Sequence, residues 1–124
     1  MTPMLAVPFK FKIYNGLGRC EGMIRDEGGH LAIDFQKSDA IMGLLKSDVK
    51  TVRIALKDLD SVTLVRGWLG TTWFGVDIVL QAAKLETLKD VPGMSQGKVV
   101  LEVERKDSAA AERLVAALHV DVNT

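Results

Sequence analysis

Two turns near the start of the chain constrain the fold more than any other part of the sequence. Large apolar side chains recur at every second position along residues 9–14, the period of a half-buried β-strand. Asn15-Gly16 follows directly, and this dipeptide strongly favours a two-residue hairpin turn. Such a turn predicts that Phe11 pairs with Cys20 on the second strand.

A second turn is predicted at Gly28-Gly29, and it pairs Ile24 with Ile33 on the third strand. A shift of one residue would move every side chain to the opposite face, so the agreement between two independent turns is informative. Both turns assign one set of side chains to the inner face: Phe9, Phe11, Cys20, Ile24, Ile33 and Phe35. On the third strand Leu31 is also placed inward, and the outward positions are Ala32, Asp34 and Gln36.

Four more strands are predicted after a connection at residues 37–47. They cover about 49–57, a stretch through Val62 and Leu64 that ends near 67, then 72–82 and 98–106. Alternation places these side chains inward: Val52, Ile54, Leu56, Phe74, Val76, Ile78, Leu80, Val99, Leu101 and Val103. Residues 84–91 fit either a loop with one helical turn or a frayed strand.

The chain ends in an amphipathic helix that Asp107 or Ser108 caps. Its apolar stripe comprises Ala111, Leu114, Val115 and Leu118, and residues 121–124 are expected to fray. The sequence thus predicts a mostly β fold of about seven antiparallel strands, whose open end the helix covers. The 124 residues are close to the commonest domain length, so we expect one domain over 1–124, with a core at about 8–118.

This order of elements resembles that of pleckstrin-homology-like (PH-like) domains, and most closely the bacterial PH or GRAM type. The resemblance rests on IALKDLDSV at 54–62, the Val-Pro-Gly loop at 91–93, and LEVERKDSAAAERLVAAL at 101–118. It implies a barrel of two antiparallel sheets capped by the C-terminal helix. It implies no single activity, because a fold does not determine a function.

The first hairpin departs from the basic motif of lipid-binding PH domains. Lys12 and Arg19 occupy the first two basic positions, but Glu21 stands where the last arginine is expected. The hairpin turn is also too short to surround an inositol headgroup. Phosphoinositide binding is therefore not among the properties that the resemblance implies for this chain.

Composition excludes several classes of protein. Sixteen basic and sixteen acidic residues leave no net charge, which argues against a general nucleic-acid binder. A single cysteine forms no intrachain disulfide and no four-cysteine zinc site. The first eight residues lack the basic region of a signal peptide, and no apolar run is long enough for a membrane span. We therefore expect a cytoplasmic protein.

The residues that most often carry chemistry are too far apart to act together. Cys20 is predicted to pair with Lys37, seven residues along the strand from His30, which is about 23 Å at 3.3 Å per residue. His30 and His119 lack the spacing of a metal motif, and no glycine-rich phosphate loop occurs. The sequence predicts no catalytic residue, no metal site and no cofactor, and hence a non-enzymatic protein.

Large apolar residues between the predicted strands indicate a surface for partners. They are Ile41, Met42, Leu44, Leu45, Trp68 and Leu69. Two interpretations stay open, because exposed apolar loops mark interfaces, whereas a short helical turn would bury some of these residues in the core. The leading hypothesis is a binding or assembly module that acts through protein–protein contacts. It includes a homo-oligomer in which a free edge, strand one or strand five, pairs with a second copy.

The alternative hypothesis is a binder of a small ligand or an anionic membrane surface. Lys10, Lys12 and Arg19 lie on the outward face of the first hairpin, and Trp68 would be a wedge into the membrane. Lys12 faces Arg19 in the predicted register, and like charges across a strand pair are unfavourable. Either both side chains extend into water, or the turn is longer than two residues, or the tip of the hairpin binds an anion or a partner.

Overall fold

The computed structural model describes residues 6–13, 18–39, 49–65 and 75–123, with no description of the side chains of Asp39 and of residues 119–123. The first sheet has four antiparallel strands in chain order: β1 (Ala6–Ile13), β2 (Gly18–Asp26), β3 (His30–Asp39) and β4 (Lys50–Ala55). The second sheet has three antiparallel strands, also in chain order: β5 (Leu59–Val65), β6 (Val76–Ala82) and β7 (Lys98–Val103).

One α-helix, α1 (Ser108–Asn123), follows β7. It packs on β5 and β6 of the second sheet and on β1 and β2 of the first. Short 3-10 helices lie at three corners of the chain: Leu56–Asp58, Leu85–Leu88 and Arg105–Asp107. The prediction of a mostly β fold, two antiparallel sheets and a C-terminal helix is confirmed, and the arrangement is compatible with a PH-like fold.

The predicted register of the first three strands is also confirmed. Phe11 pairs with Cys20, and Ile24 pairs with Ile33. Gly28 and Gly29 have φ angles of 73° and 103°, the left-handed conformation that both central residues of a type I′ turn require. Asn15-Gly16 lies outside the described residues, but the strands on either side have the register that a two-residue turn there predicts.

Several boundaries differ from the sequence-based expectation. The fourth strand ends at Ala55 and the seventh at Val103, because a 3-10 helix turns the chain directly after each. Residues 84–91 contain a 3-10 helix rather than a frayed strand. The final helix extends to Asn123, and fraying from residue 121 stays a prediction.

Ala32 was expected to face outward into solvent, but it is fully buried. Its register partners are Arg25 on one side and Arg53 on the other, so it does lie on the outer face. The Glu27 carboxylate accepts a hydrogen bond from each arginine. Arg25 Nη1 lies 3.4 Å from Glu27 Oε2, and Arg53 Nε lies 3.2 Å from Glu27 Oε1. Long arginine stems flanking a methyl group exclude water from it, which explains the burial.

The core lies between the two sheets under α1. The inward sets of β1, β2 and β3 are buried as predicted, and so are Val76, Ile78 and Leu80 on β6 and Val99, Leu101 and Val103 on β7. Val52 and Leu64 are only partly buried, since they lie at the margin of this core. On α1, Ala111, Leu114 and Leu118 are buried and Val115 is partly buried, which confirms the predicted stripe.

The backbone of β3 leaves no room for a side chain at Gly22 on β2. A Cβ atom at this position would lie 1.8 Å from the carbonyl oxygen of Asp34 and 2.8 Å from Cα of Phe35. Both neighbours are backbone atoms, so no rotation of a side chain relieves the collision. Any side chain at residue 22 therefore forces β2 and β3 apart.

We expect Gly22→Ala to lower the free energy of unfolding by about 3 kcal/mol or more, at the upper end of overpacking effects. Gly28→Ala is the matched control, because the same added methyl group meets no atom within 4 Å there. We expect Gly28→Ala to lower the free energy of unfolding by only about 1–2 kcal/mol, because of backbone strain at its positive φ. Urea unfolding followed by far-UV circular dichroism measures both, and equal losses in the two variants would contradict the close approach.

Candidate functional site

The outward-facing side chains of the first sheet form rows across its strands. In one row, Lys10 lies opposite Glu21, which lies opposite Gln36. The next row contains Pro8, Met23, Asp34 and Thr51. Residues two apart on each strand share this face, so the register that places the phenyl rings inward also places these charged and apolar groups side by side.

A network of hydrogen bonds holds Asp34 at the centre of this face. Thr51 Oγ1 donates to Asp34 Oδ1 at 2.5 Å, and Arg25 donates from Nε to Oδ2 at 2.8 Å and from Nη2 to Oδ1 at 3.2 Å. The Thr51 hydrogen bond, followed by those of Arg25, holds the pKa of Asp34 below its usual value. The hydrogen bonds to Asp34 raise the pKa of Arg25, so both side chains stay charged. These hydrogen bonds join residues of β2 and β3 within the first sheet.

A cleft of about 540 Å³ opens on the outer face where β1, β2 and β3 meet the end of β7. We call it the outer-face cleft. Its apolar floor comprises Pro8, Met23 and Val49, with Gly22 between its register partners Phe9 and Phe35. Its charged residues are Glu21, Asp34, Glu102, Glu104 and Asp107 together with Lys10 and Lys106, and Gln36 completes the lining.

One carboxylate in this cleft links the two sheets. Lys10 Nζ on β1 forms an ion pair with Glu104 Oε1, which follows β7, and Lys106 Nζ lies 3.6 Å from Glu104 Oε2. The neighbouring Lys10 ammonium, and then that of Lys106, hold the pKa of Glu104 below its usual value. Within the described part of the chain, Glu21 and Asp107 have no ion-pair partner.

The basic residues predicted at the first hairpin do not form one cluster. Lys10 is exposed but bound to Glu104, so its charge is already balanced. Lys12 and Arg19 lie opposite each other, as the register predicted, and both are exposed. Among the described residues, none forms an ion pair with either of them.

The six apolar residues predicted to contact partners lie outside the described residues: Ile41, Met42, Leu44, Leu45, Trp68 and Leu69. The two strands predicted to offer an edge, β1 and β5, are edge strands of their sheets, although β1 lies beside β7 and β5 lies against α1. β4 is the other edge strand of the first sheet, and in the described ranges its only ladder is with β3. Exposed Lys50 and Arg53 occupy this strand, and cations on an edge disfavour pairing with a second copy.

A second hollow, of about 440 Å³, lies between the last part of β3 and the first residues of β4. Lys37, Lys50 and Asp90 bring charges of both signs to it, and Phe35, Thr51 and Val52 complete the lining. It has a more polar lining than the outer-face cleft and offers no apolar floor of comparable size. The outer-face cleft is therefore the stronger candidate for a binding site.

Cys20 is fully buried, as the sequence predicted. Burial raises the pKa of its thiol to about 11, an effect that outweighs the nearby Lys37 ammonium. His30 lies at the opposite end of β3, paired with Ala55, while Cys20 pairs with Lys37. The thiolate needed for nucleophilic attack is thus scarce, and His30, the one histidine whose side chain is described, is too far along β3 to generate it.

Two kinds of feature are absent from the described ranges. No group of three or more His, Cys, Asp or Glu side chains there is arranged to hold a metal ion. No helix in the same ranges is both long enough and apolar enough to cross a bilayer.

Burial of Cys20 predicts that its thiol reacts slowly with thiol-specific reagents in the folded protein. A pKa of about 11 in place of the ordinary 9.0 leaves roughly 100-fold less thiolate at pH 8. We expect Ellman's reagent to react at least about 100-fold more slowly with the folded chain than with the urea-unfolded chain. Equal rates would show that the thiol is accessible.

The same pKa predicts a pH dependence of stability. The unfolded chain loses the thiol proton first, so the free energy of unfolding falls as the pH rises from about 9 to about 11 and is unaffected by this group below pH 9. Cys20→Ala is the control, because it should remove that component of the slope between pH 9 and 11. Urea unfolding across this pH range measures both.

One signal for the outer-face cleft is present in the sequence. Lys10, Glu21 and Gln36 form an outward row as soon as the register is known. The position of Glu104 beside Lys10 has no such signal, because it depends on how the second sheet packs against the first. No protein-family model, curated protein or solved structure matches this chain.

Proposed function

We propose that this chain is a non-enzymatic binding module of the PH-like class, resembling the bacterial PH or GRAM type, that acts through protein–protein contacts. The outer-face cleft is the observation that supports the proposal. It combines an apolar floor with a charged rim, the composition of many protein interfaces.

The floor of the cleft offers apolar surface to a partner. Met23 is 37% exposed and Val49 is 65% exposed, and Pro8 lies opposite Met23 in the sheet. A pocket for a small molecule normally encloses most of its ligand, whereas this cleft lies open on a sheet face and extends over strands of both sheets. An open surface of this kind suits a polypeptide segment better than a small cofactor.

The charges on β4 favour a different protein over a second copy that pairs with this edge. Antiparallel pairing of two β4 strands would bring Lys50 and Arg53 of one copy close to the same residues of the other, and like charges across a strand pair are destabilising. The outer-face cleft has no such like-charge repulsion against a different protein. A homo-oligomer remains one outcome of the test below.

Photo-crosslinking tests this proposal without assuming the identity of the partner. We expect benzoylphenylalanine at position 23 to yield a protein adduct in cells that express the chain. Mass spectrometry of the adduct distinguishes a second copy of the 13.5 kDa chain from another protein.

Position 85 is the matched control, because Leu85 is also a large exposed apolar residue, at 60%, but does not line the cleft. Circular dichroism verifies that both variants fold. If position 23 gives no more protein adduct than position 85, the cleft is not an interface and the proposal is wrong.

The second candidate function is attachment to an anionic surface through the first hairpin. Lys12 and Arg19 support it, because two cations face each other there without an acidic partner among the described residues. Such a pair is unfavourable in the free protein. Binding of a phosphate or carboxylate group between the two would relieve the repulsion.

Cosedimentation with vesicles tests the second candidate. We expect vesicles that contain phosphatidylserine to sediment the chain at low salt, and expect Lys12→Glu and Arg19→Glu to abolish this. Lys57→Glu is the control, since Lys57 is an exposed cation in a 3-10 helix away from the hairpin. Absence of binding at every lipid composition, or equal binding by all variants, would remove this candidate.

A further inference from the structure

We infer that the occupant of the outer-face cleft is a short, extended, basic polypeptide segment in which lysine or arginine residues are interspersed with apolar ones. This inference rests on the proposed function, and it specifies the chemistry of the partner. Charge in the cleft, apolar surface beside that charge, and the dimensions of the cleft support it.

The described residues that line the cleft include five carboxylates and only two ammonium groups. Both ammonium groups, on Lys10 and Lys106, lie against the single carboxylate of Glu104. Asp34 is held by Arg25. The negative charges of Glu21 and Asp107 are therefore not balanced by an ion pair in the described part of the chain, and they favour a cationic ligand over an anionic one.

This acidic excess is local, because the whole chain has equal numbers of acidic and basic residues. It arises from the register of β1, β2 and β3 together with the end of β7. A basic partner is attracted to this face in particular, whereas an acidic partner would meet only Lys10 and Lys106, whose charges are already partly balanced by Glu104.

Apolar surface lies directly beside the unpaired charge. Met23 is two residues from Glu21 on the same face of β2, and Pro8 is opposite Met23 on β1. A segment that places one cation on Glu21 thus places an adjacent apolar side chain on Met23 and Pro8. A purely basic segment would leave this floor exposed to water, and a purely apolar one would leave Glu21 and Asp107 unpaired.

The cleft has room for a few residues only. It crosses from β3 over β2 and β1 to the end of β7, and neighbouring strands in a sheet lie about 4.8 Å apart. Two such steps and the junction between the sheets amount to roughly 15–20 Å. An extended segment advances about 3.3 Å per residue, so about five or six residues cross the cleft.

Binding of synthetic peptides tests the inference, with fluorescence anisotropy of a rhodamine-labelled ten-residue peptide that holds four lysines and two leucines. We expect it to bind, and expect the same peptide with glutamates for the lysines to bind at least about 10-fold more weakly. Replacing the leucines by serines should also weaken binding. Nuclear magnetic resonance titration of the full chain should shift the amide signals of Glu21 and Met23.

Two variants locate the charges that matter. We expect Glu21→Gln and Asp107→Asn each to weaken binding of the lysine peptide about 3- to 10-fold. Glu86→Gln is the matched control, because Glu86 is an exposed carboxylate outside the cleft, and it should leave binding unchanged. Asp107 precedes the first residue of α1, so Glu21→Gln keeps the test valid if Asp107→Asn perturbs the helix.

The inference is overturned if the acidic peptide binds as tightly as the basic one, or if Glu21→Gln binds as tightly as the wild-type chain. Its failure is distinguishable from that of the proposed function. A protein adduct at position 23 without binding of the lysine peptide leaves the interface in place and removes only the basic partner. Absence of both the adduct and the binding removes both.

Discussion

The inner and outer surfaces of the first sheet both depend on the register in which β2 lies between β1 and β3. That register puts Cys20 and Ile24 into the core, and it simultaneously aligns Lys10 with Glu21 and Pro8 with Met23 on the other side. One pairing therefore determines the hydrophobic packing and the chemistry of the outer-face cleft together. A slip of one residue would expose the phenyl rings and bury the charges, which is why the two surfaces cannot vary independently.

The register was predictable because it follows from local chemistry. Gly28 and Gly29 adopt backbone conformations that other residues reach only with strain, and alternation of large apolar residues on β1 specifies which face is buried. The apolar stripe on α1 was predictable for the same reason, since apolar residues recur with the 3.6-residue helical period within one short segment of the sequence. These features need no knowledge of distant parts of the chain.

The site was less predictable because it joins distant residues. Lys10 lies on β1 and Glu104 directly follows β7, two strands of different sheets with no hydrogen-bonded ladder between them, so no pairing rule places the two residues together. The burial of Ala32 is similar, because it depends on how two arginines and Glu27 arrange themselves over a small residue. Of the residues predicted to bind partners or anions, Lys12 and Arg19 lie opposite each other as predicted, whereas Lys10 is bound to an acid contributed by the second sheet.

Gly22 has a consequence for how such a surface diversifies during evolution. It lies in the floor of the outer-face cleft, and the backbone of β3 leaves no space there for even a methyl group. Selection for a new partner cannot act through this position without separating two strands. New specificities on this scaffold must arise at its neighbours in the sheet, Glu21 and Met23, whose side chains are free to change in charge and size around a constant centre.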